Sequence, residues 1–251
     1  MRSRLHATFI LAFVLGPSSG CIAGPLEQSR DEGRAVAALE AAGVPLERDS
    51  MGRVRWIDAS QGELSDKTIR FLPGLASLEW LEIGGGKVSD AGVASLSKCT
   101  SLRRLYLHDI RLSDGGLGFL EPLTHLEALS LQKTGITGEG LAHLKGAATL
   151  TVLNISDNII DDAVMIHVAR MKGLEVVALK NTRVTGTGLA QLRGMTHLNV
   201  LNLSNCAIVD GDLQVLDSMP NLRIVHASGC GLTEGAVQET TGRLPMLSIF
   251  R

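Results

Sequence analysis

From residue 54 onward, apolar side chains return on a fixed beat. An L-x-x-L-x-L phrase, with Val or Ile at some of its places, opens at Val54, Leu78, Leu102, Leu126, Leu150, Leu174, Leu198 and Leu222, each 24 residues after the last, and again at Leu247 after 25. The fourth residue of each unit is aliphatic from Ile57 to Val225, the eleventh from Leu64 to Leu232, and the sixteenth from Ile69 to Val237. Residues three to eight of a unit alternate between inward and outward positions, which is the period of a strand. The apolar sixteenth and nineteenth positions follow helical spacing. Ser65, Ser89, Ser113, Thr137, Thr185 and Thr233 precede that stretch as expected N-caps. Asp66, Asp90, Asp114, Asp162 and Asp210 follow in the first turn, where the helix dipole favours a carboxylate. One strand and one short helix cannot bury their apolar faces alone, so the units must stack into a parallel sheet backed by helices. Strands spaced by about 4.8 Å and helices by about 10 Å cannot stack straight, which puts the sheet on the concave side of an arc.

These columns, over 54–250, resemble the leucine-rich repeat family. The ninth position carries the resemblance further, with Thr134, Asn158, Thr182, Cys206 and Cys230 where that family places Asn, Cys or Thr. The 24-residue period and the phrases SDAGV (89–93) and SDGGL (113–117) look most like the cysteine-containing subtype. Gly62, Gly86 and Ile110 depart from the pattern, so the turns of the first three units should be held differently. The resemblance implies an α/β leucine-rich repeat solenoid, a horseshoe with a parallel concave β-sheet and short convex helices.

Before the repeats, the pattern changes. Arg34 to Ala42 reads as a helix ended by Gly43, and 44–57 as two strands around Asp49-Ser50-Met51-Gly52. This is the expected helix–hairpin cap over the open end of the core. Residues 1–20 look like an address: Arg2 and Arg4, then an eight-residue apolar run from Thr8 to Leu15, then small turn-forming residues. The run is too short to span a bilayer. Cys21, after Ser18-Ser19-Gly20, resembles a bacterial lipoprotein processing site, although Ser18 stands where that pattern usually has Leu; ordinary cleavage is the alternative. The expected organisation is a signal peptide (1–20), a linker and cap (21–53) and a solenoid of about eight repeats plus a final strand (54–251). It suits an exported bacterial protein, secreted or lipid-anchored at the membrane through Cys21.

Composition narrows the chemistry. The 39 leucines dwarf five Phe, two Trp and one Tyr, so the core is aliphatic. The net charge of -2 argues against nucleic acid as a partner. Catalytic and cofactor signals are weak. Gly16 to Gly20 matches G-x-S-x-G but lies in the leader, not between a strand and a helix. Gly84-Gly85-Gly86 lacks a phosphate-loop context and reads as turn glycine. HExxH and CxxC motifs do not occur. His143 and His167 share a column on the convex side, without the further ligands that zinc needs. Asp157, Asn158, Asp161 and Asp162 lack EF-hand spacing, which leaves helix capping against a calcium site. Cys206 and Cys230 should neighbour each other, as a thiol column or a bridge. No catalytic residue, metal or cofactor is expected.

Positions three, five and seven of each unit point out of the sheet. They hold both tryptophans and the only tyrosine. Trp56, Trp80, Glu82, Arg104, Tyr106 and His108 should be contiguous, and Trp, Tyr and Arg are the residues enriched at binding hot spots. Two alternatives stand beside this: the cap hairpin could bury Trp56 and Trp80, and the valines further along position three could be a sheet-stabilising ladder. The resemblance implies recognition of a protein or other macromolecule on the concave face. A rival reading is an intracellular adaptor of the F-box ubiquitin-ligase kind; 25–53 is too short for an F-box and the leader opposes it.

Overall fold

The computed structural model describes residues 30–251. The leader, the lipidation motif at Cys21 and the G-x-S-x-G match lie outside the described residues.

The alternating phrases form one sheet of ten strands in sequence order. They are β1 (Leu46–Arg48), β2 (Val54–Ala59), β3 (Trp80–Gly84), β4 (Arg104–His108), β5 (Ala128–Ser130), β6 (Val152–Asn154), β7 (Val176–Ala178), β8 (Val200–Asn202), β9 (Ile224–His226) and β10 (Ser248–Phe250). β1 and β2 form an antiparallel hairpin; every later pair is parallel. Equivalent residues pair, Leu81 with Leu105 and Leu129 with Leu153, so the repeat is also the sheet register. A one-residue slip would turn each aliphatic column to solvent. Leu81, Leu105, Leu129 and Leu153 are buried, as are the columns headed by Val54 and Leu64.

The helix side is less uniform than the spacing predicts. α2 (Asp66–Ile69), α3 (Asp90–Leu96), α4 (Met165–Arg170), α5 (Gly186–Gln191) and α6 (Glu234–Arg243) are α-helical, but 3₁₀ turns occupy Leu72–Gly74, Gly115–Leu120, Glu139–Gly146, Asp162–Val164 and Asp210–Ser218. Glycines such as Gly115, Gly116 and Gly118 lower helix propensity there, and a unit needs only one apolar turn to close over the sheet.

α1 (Arg30–Ala41) begins four residues earlier than expected and ends with Gly43 in the left-handed region (φ 72°). It buries Ala35 and Leu39 against the first unit and approaches so closely that a Cβ on Gly74 would lie 2.5 Å from the Asp31 carbonyl oxygen. Asp49 closes the hairpin turn by accepting the backbone N–H groups of Met51 and Arg53.

Three columns hold unit to unit. The aspartates expected to serve the helix dipole turn instead to the next repeat. Asp66, Asp90, Asp114, Asp162 and Asp210 each accept the backbone N–H and the hydroxyl of the Ser or Thr 23 residues later: Ser89, Ser113, Thr137, Thr185 and Thr233. Among the expected N-caps, Ser89, Thr185 and Thr233 also accept the N–H groups of Ala91, Thr187 and Ala236. Ser65 makes no side-chain cap bond. The ninth-position residues satisfy carbonyls where the strands end. Asn158 donates to the Leu131 and Ile155 oxygens and accepts Thr134 and Gly135 N–H, while the Thr182 hydroxyl and Cys206 thiol both donate to the Leu179 oxygen. At the eighth position Asp109, Lys133, Asp157, Asn181 and Asn205 all take positive φ, from 53° to 59°.

The expected difference in the first three units is present. Lacking that ninth-position ladder, β2, β3 and β4 run for six, five and five residues, against three in each strand from β5 onward. The sheet is therefore widest at its N-terminal end.

Candidate functional site

The widest part of the sheet carries the aromatic row. Pleating turns Leu46, Ile57, Leu81 and Leu105 inward and sends the residues between them outward. Register places Glu47 opposite Trp56, Trp56 opposite Trp80, and Trp80 opposite Arg104. Two residues along, Asp58 faces Glu82 and Glu82 faces Tyr106. The ring centroids of Trp56 and Trp80 are 4.6 Å apart at 39°, and those of Trp80 and Tyr106 are 5.6 Å apart at 52°. All six residues singled out from the sequence thus sit on three adjacent strands. The hairpin does not fold over them: β1 extends the sheet sideways, and Trp56 remains 41% exposed.

Beside the rings lies a polar group. His108 Nε2 is 3.1 Å from Glu82 Oε1, and His108 Nδ1 is 3.6 Å from Asp109, which pairs with Lys133. The Glu82 carboxylate, aided by Asp109, raises the His108 pKa above its ordinary value, against an opposing contribution from burial. Lys133 holds the Asp109 carboxyl below the usual range, and burial pushes the Tyr106 phenol up. Gly84 makes the histidine's position available. A Cβ on Gly84 would lie 2.3 Å from His108 Cε1 and 2.3 Å from the Ser60 carbonyl oxygen. Gly84 was expected to be a turn residue; the turn glycine is its neighbour Gly85, with φ 81°.

Beyond β4 the outward face changes. Val152, Val176, Val200 and Ile224 continue position three as half-buried side chains. Small residues at the outward positions sink between their neighbours: Ala128, Ser130, Ser156 and Ser204 are all buried. Asn154 and Asn202, at the ends of β6 and β8, accept the N–H groups of Ser156 and Ser204 two residues on.

The other sequence candidates are dispersed. Asp157 bonds Gln132 and Asn181, Asp161 accepts Ala163 N–H, and Asp162 bonds Thr185. Among the described residues no group of three or more His, Cys, Asp or Glu side chains could hold a metal ion. Cys206 and Cys230 are free thiols, as is Cys99. A hollow of about 310 Å³ on the helix side, lined by Asp210, Gln214, Glu239 and Arg243, lies away from the row. So does one of about 200 Å³ lined by Met219, Leu222, Leu244 and Met246.

The repeats themselves can be placed among known families. Residues 123–144, 146–163 and 194–216 match the family model described as Leucine Rich repeat. This is a leucine-rich repeat protein. Its solenoid is similar to that of an internalin (inlF) from Listeria monocytogenes, with a TM-score of 0.56 and 22% identity over 74% of this chain and 57% of that one. It is also similar to internalin C2 (inlC2) from the same organism, with a TM-score of 0.65 and 22% identity over 86% and 90%. These likenesses show the fold, and the chain spans little more than half the length of the first of them. No curated protein matches the chain. In leucine-rich repeat terms, the aromatic row occupies the outward positions of the first three repeats.

The sequence reading missed Glu47, which belongs to the cap, and the Glu82–His108 bond, which needs Gly84. Hairpin register was the signal for the first. The second was signalled by a glycine one strand before an outward histidine.

Proposed function

We propose that the chain is a non-catalytic binding module that recognises a protein on the outward face of its sheet, outside the cytoplasm. The observation that carries this reading is the row Trp56–Trp80–Tyr106. Three rings stand side by side on a face where neither register nor core packing requires an aromatic residue, with Arg104 and His108 at their edge. Trp, Tyr and Arg are over-represented among residues whose truncation weakens protein interfaces most, and the rigid parallel sheet holds them without a large ordering cost on binding. The side chains of this face are mostly Val, Ser, Asn and aromatic, and its Glu82–His108 pair lies beside the rings on the open sheet. Export rests on the basic–apolar–small pattern of residues 1–20, and attachment to a membrane on Cys21.

The test is capture of partners from a cell-surface extract by the wild-type chain and by Trp80→Ala and Tyr106→Ala chains. Partners retained by the wild type should be lost from both variants. Unchanged capture by both would remove the aromatic row from the interface. Recovery of the chain in the cytosol with Met1 retained would overturn export.

A further inference from the structure

We infer that the aromatic row receives a basic segment of a protein partner, with a lysine or arginine side chain seated against Trp56 and Trp80 and its charge met by Asp58 and Glu82. This rests on the binding reading above and assigns its partner chemistry. Charge complementarity carries it. Asp58 and Glu82 are direct cross-strand neighbours on β2 and β3, in register and on the same outward face as the two indoles. Like charges directly opposite each other destabilise a sheet; His108 offsets part of this at Glu82, whereas Asp58 accepts only the Ser60 N–H and keeps its charge without a countercharge on the free face. Among the described residues no ion pair involves Asp58, and Glu82 meets only His108. Glu47, exposed and opposite Trp56, adds a third carboxylate at the outer edge.

Indole faces attract cations through the ring quadrupole, Trp most strongly among the aromatic side chains. Two tilted indoles with a carboxylate pair two residues further along the strands therefore offer a cation both a π surface and a countercharge. Arg104 bounds this subsite on β4, beyond Trp80 and away from Asp58. It sets the polarity of the row: acidic over β1 to β3, basic at β4. A segment lying across the strands would place its basic residue over Trp56 and Trp80. Acidic segments and nucleic acid meet three carboxylates at the same place and are disfavoured.

The experiment selects a random peptide library displayed on phage against the immobilised full chain, with the Trp80→Ala chain as the counter-selection. Selected peptides are then titrated using the emission of Trp56 and Trp80, the chain's only tryptophans. Peptides that depend on Trp80 should be enriched in Arg and Lys, and Asp58→Asn with Glu82→Gln should weaken them at least tenfold. Should that variant fail to fold, raising the salt to about 1 M, where the screening length is about 3 Å, should weaken them in the wild type. Trp80-dependent peptides that are neutral or acidic, or stronger quenching by a neutral glucan hexasaccharide than by any selected peptide, would overturn this inference and leave the binding face standing. Recovery of no Trp80-dependent peptide would overturn both.

Discussion

Asp162 and Gly188 fit together across two consecutive repeats. The Asp162 carboxylate crosses to Thr185, accepting its backbone N–H at 2.8 Å and its hydroxyl at 2.6 Å, and a Cβ on Gly188 would lie 2.3 Å from Asp162 Oδ1. The same fit recurs for Asp66 with Gly92, at 2.4 Å, and for Asp90 with Gly116, at 2.3 Å. Where the aspartate is replaced by Gly138 or Gly186, the partner position becomes Val164 or Asp212, whose side chain fills the space; a Cβ on Gly138 would lie 2.7 Å from Val164 Cγ2. In these repeats either a carboxylate reaches forward over a glycine or a side chain reaches back to one; at Asp210 the partner position is Ala236.

That alternation predicts strong coupling. Gly188→Ala alone should destabilise by roughly 1–3 kcal/mol through overpacking, and Asp162→Gly alone by a similar amount through lost charge-assisted hydrogen bonds. The double substitution Asp162→Gly with Gly188→Val copies the native Gly138–Val164 arrangement and should cost less than the sum of Asp162→Gly and Gly188→Val. Urea unfolding of the four chains measures this. Additive losses would mean that the two positions are independent.

Asn158 is the most heavily bonded side chain of the ninth-position ladder. Asn158→Leu keeps the bulk but leaves the Leu131 oxygen and the Gly135 N–H without the partners that Asn158 provides. The expected loss is about 2–4 kcal/mol, read as a lower urea midpoint. A change under about 0.5 kcal/mol would show that water replaces the ladder.

The Glu82–His108 bond makes stability depend on pH. The folded-state His108 pKa is raised above 6.5, first by the hydrogen bond to Glu82. Its stabilisation is therefore fully present below about 6.5 and is lost as the pH rises through the higher folded value. The difference in unfolding free energy between the wild type and Glu82→Gln should be largest near about pH 5.5 and shrink by about pH 8.5. A difference independent of pH would contradict this pairing.

The cysteines predict an order of labelling. Burial pushes the Cys99 thiol up to about 12 and also raises that of Cys206, whereas Cys230 is partly exposed. Among the described cysteines, thiolate reagents at about pH 8 should label Cys230 first and Cys99 only on unfolding. A Cys206–Cys230 disulfide found by mass spectrometry in the folded chain would contradict the free-thiol geometry.

The repeat, its register and the outward row were legible because a strict 24-residue period fixes which side chains stack, and period two fixes which face they take. Trp56, Trp80 and Tyr106 could be placed together on that basis alone. The inter-repeat role of Asp162 was not, because a carboxylate at a helix start has a sufficient local reason to be there. The left-handed column from Asp109 to Asn205 was hidden by Lys133, a residue with no preference for that conformation. The mixture of α and 3₁₀ turns depends on glycine content within single units, which a period averages away. The Glu82–His108 bond depended on an absent side chain, at Gly84.

The central claim is that the outward face of the first three repeats is where a partner sits. Hydrogen–deuterium exchange and hydroxyl-radical footprinting of the chain, alone and with a captured partner, test it most directly. The account predicts protection at Trp56, Trp80 and Tyr106 and along β2 to β4, with the helices on the opposite side unchanged. Protection confined to α3, α4 or α5, with the three rings as reactive as before, would contradict it.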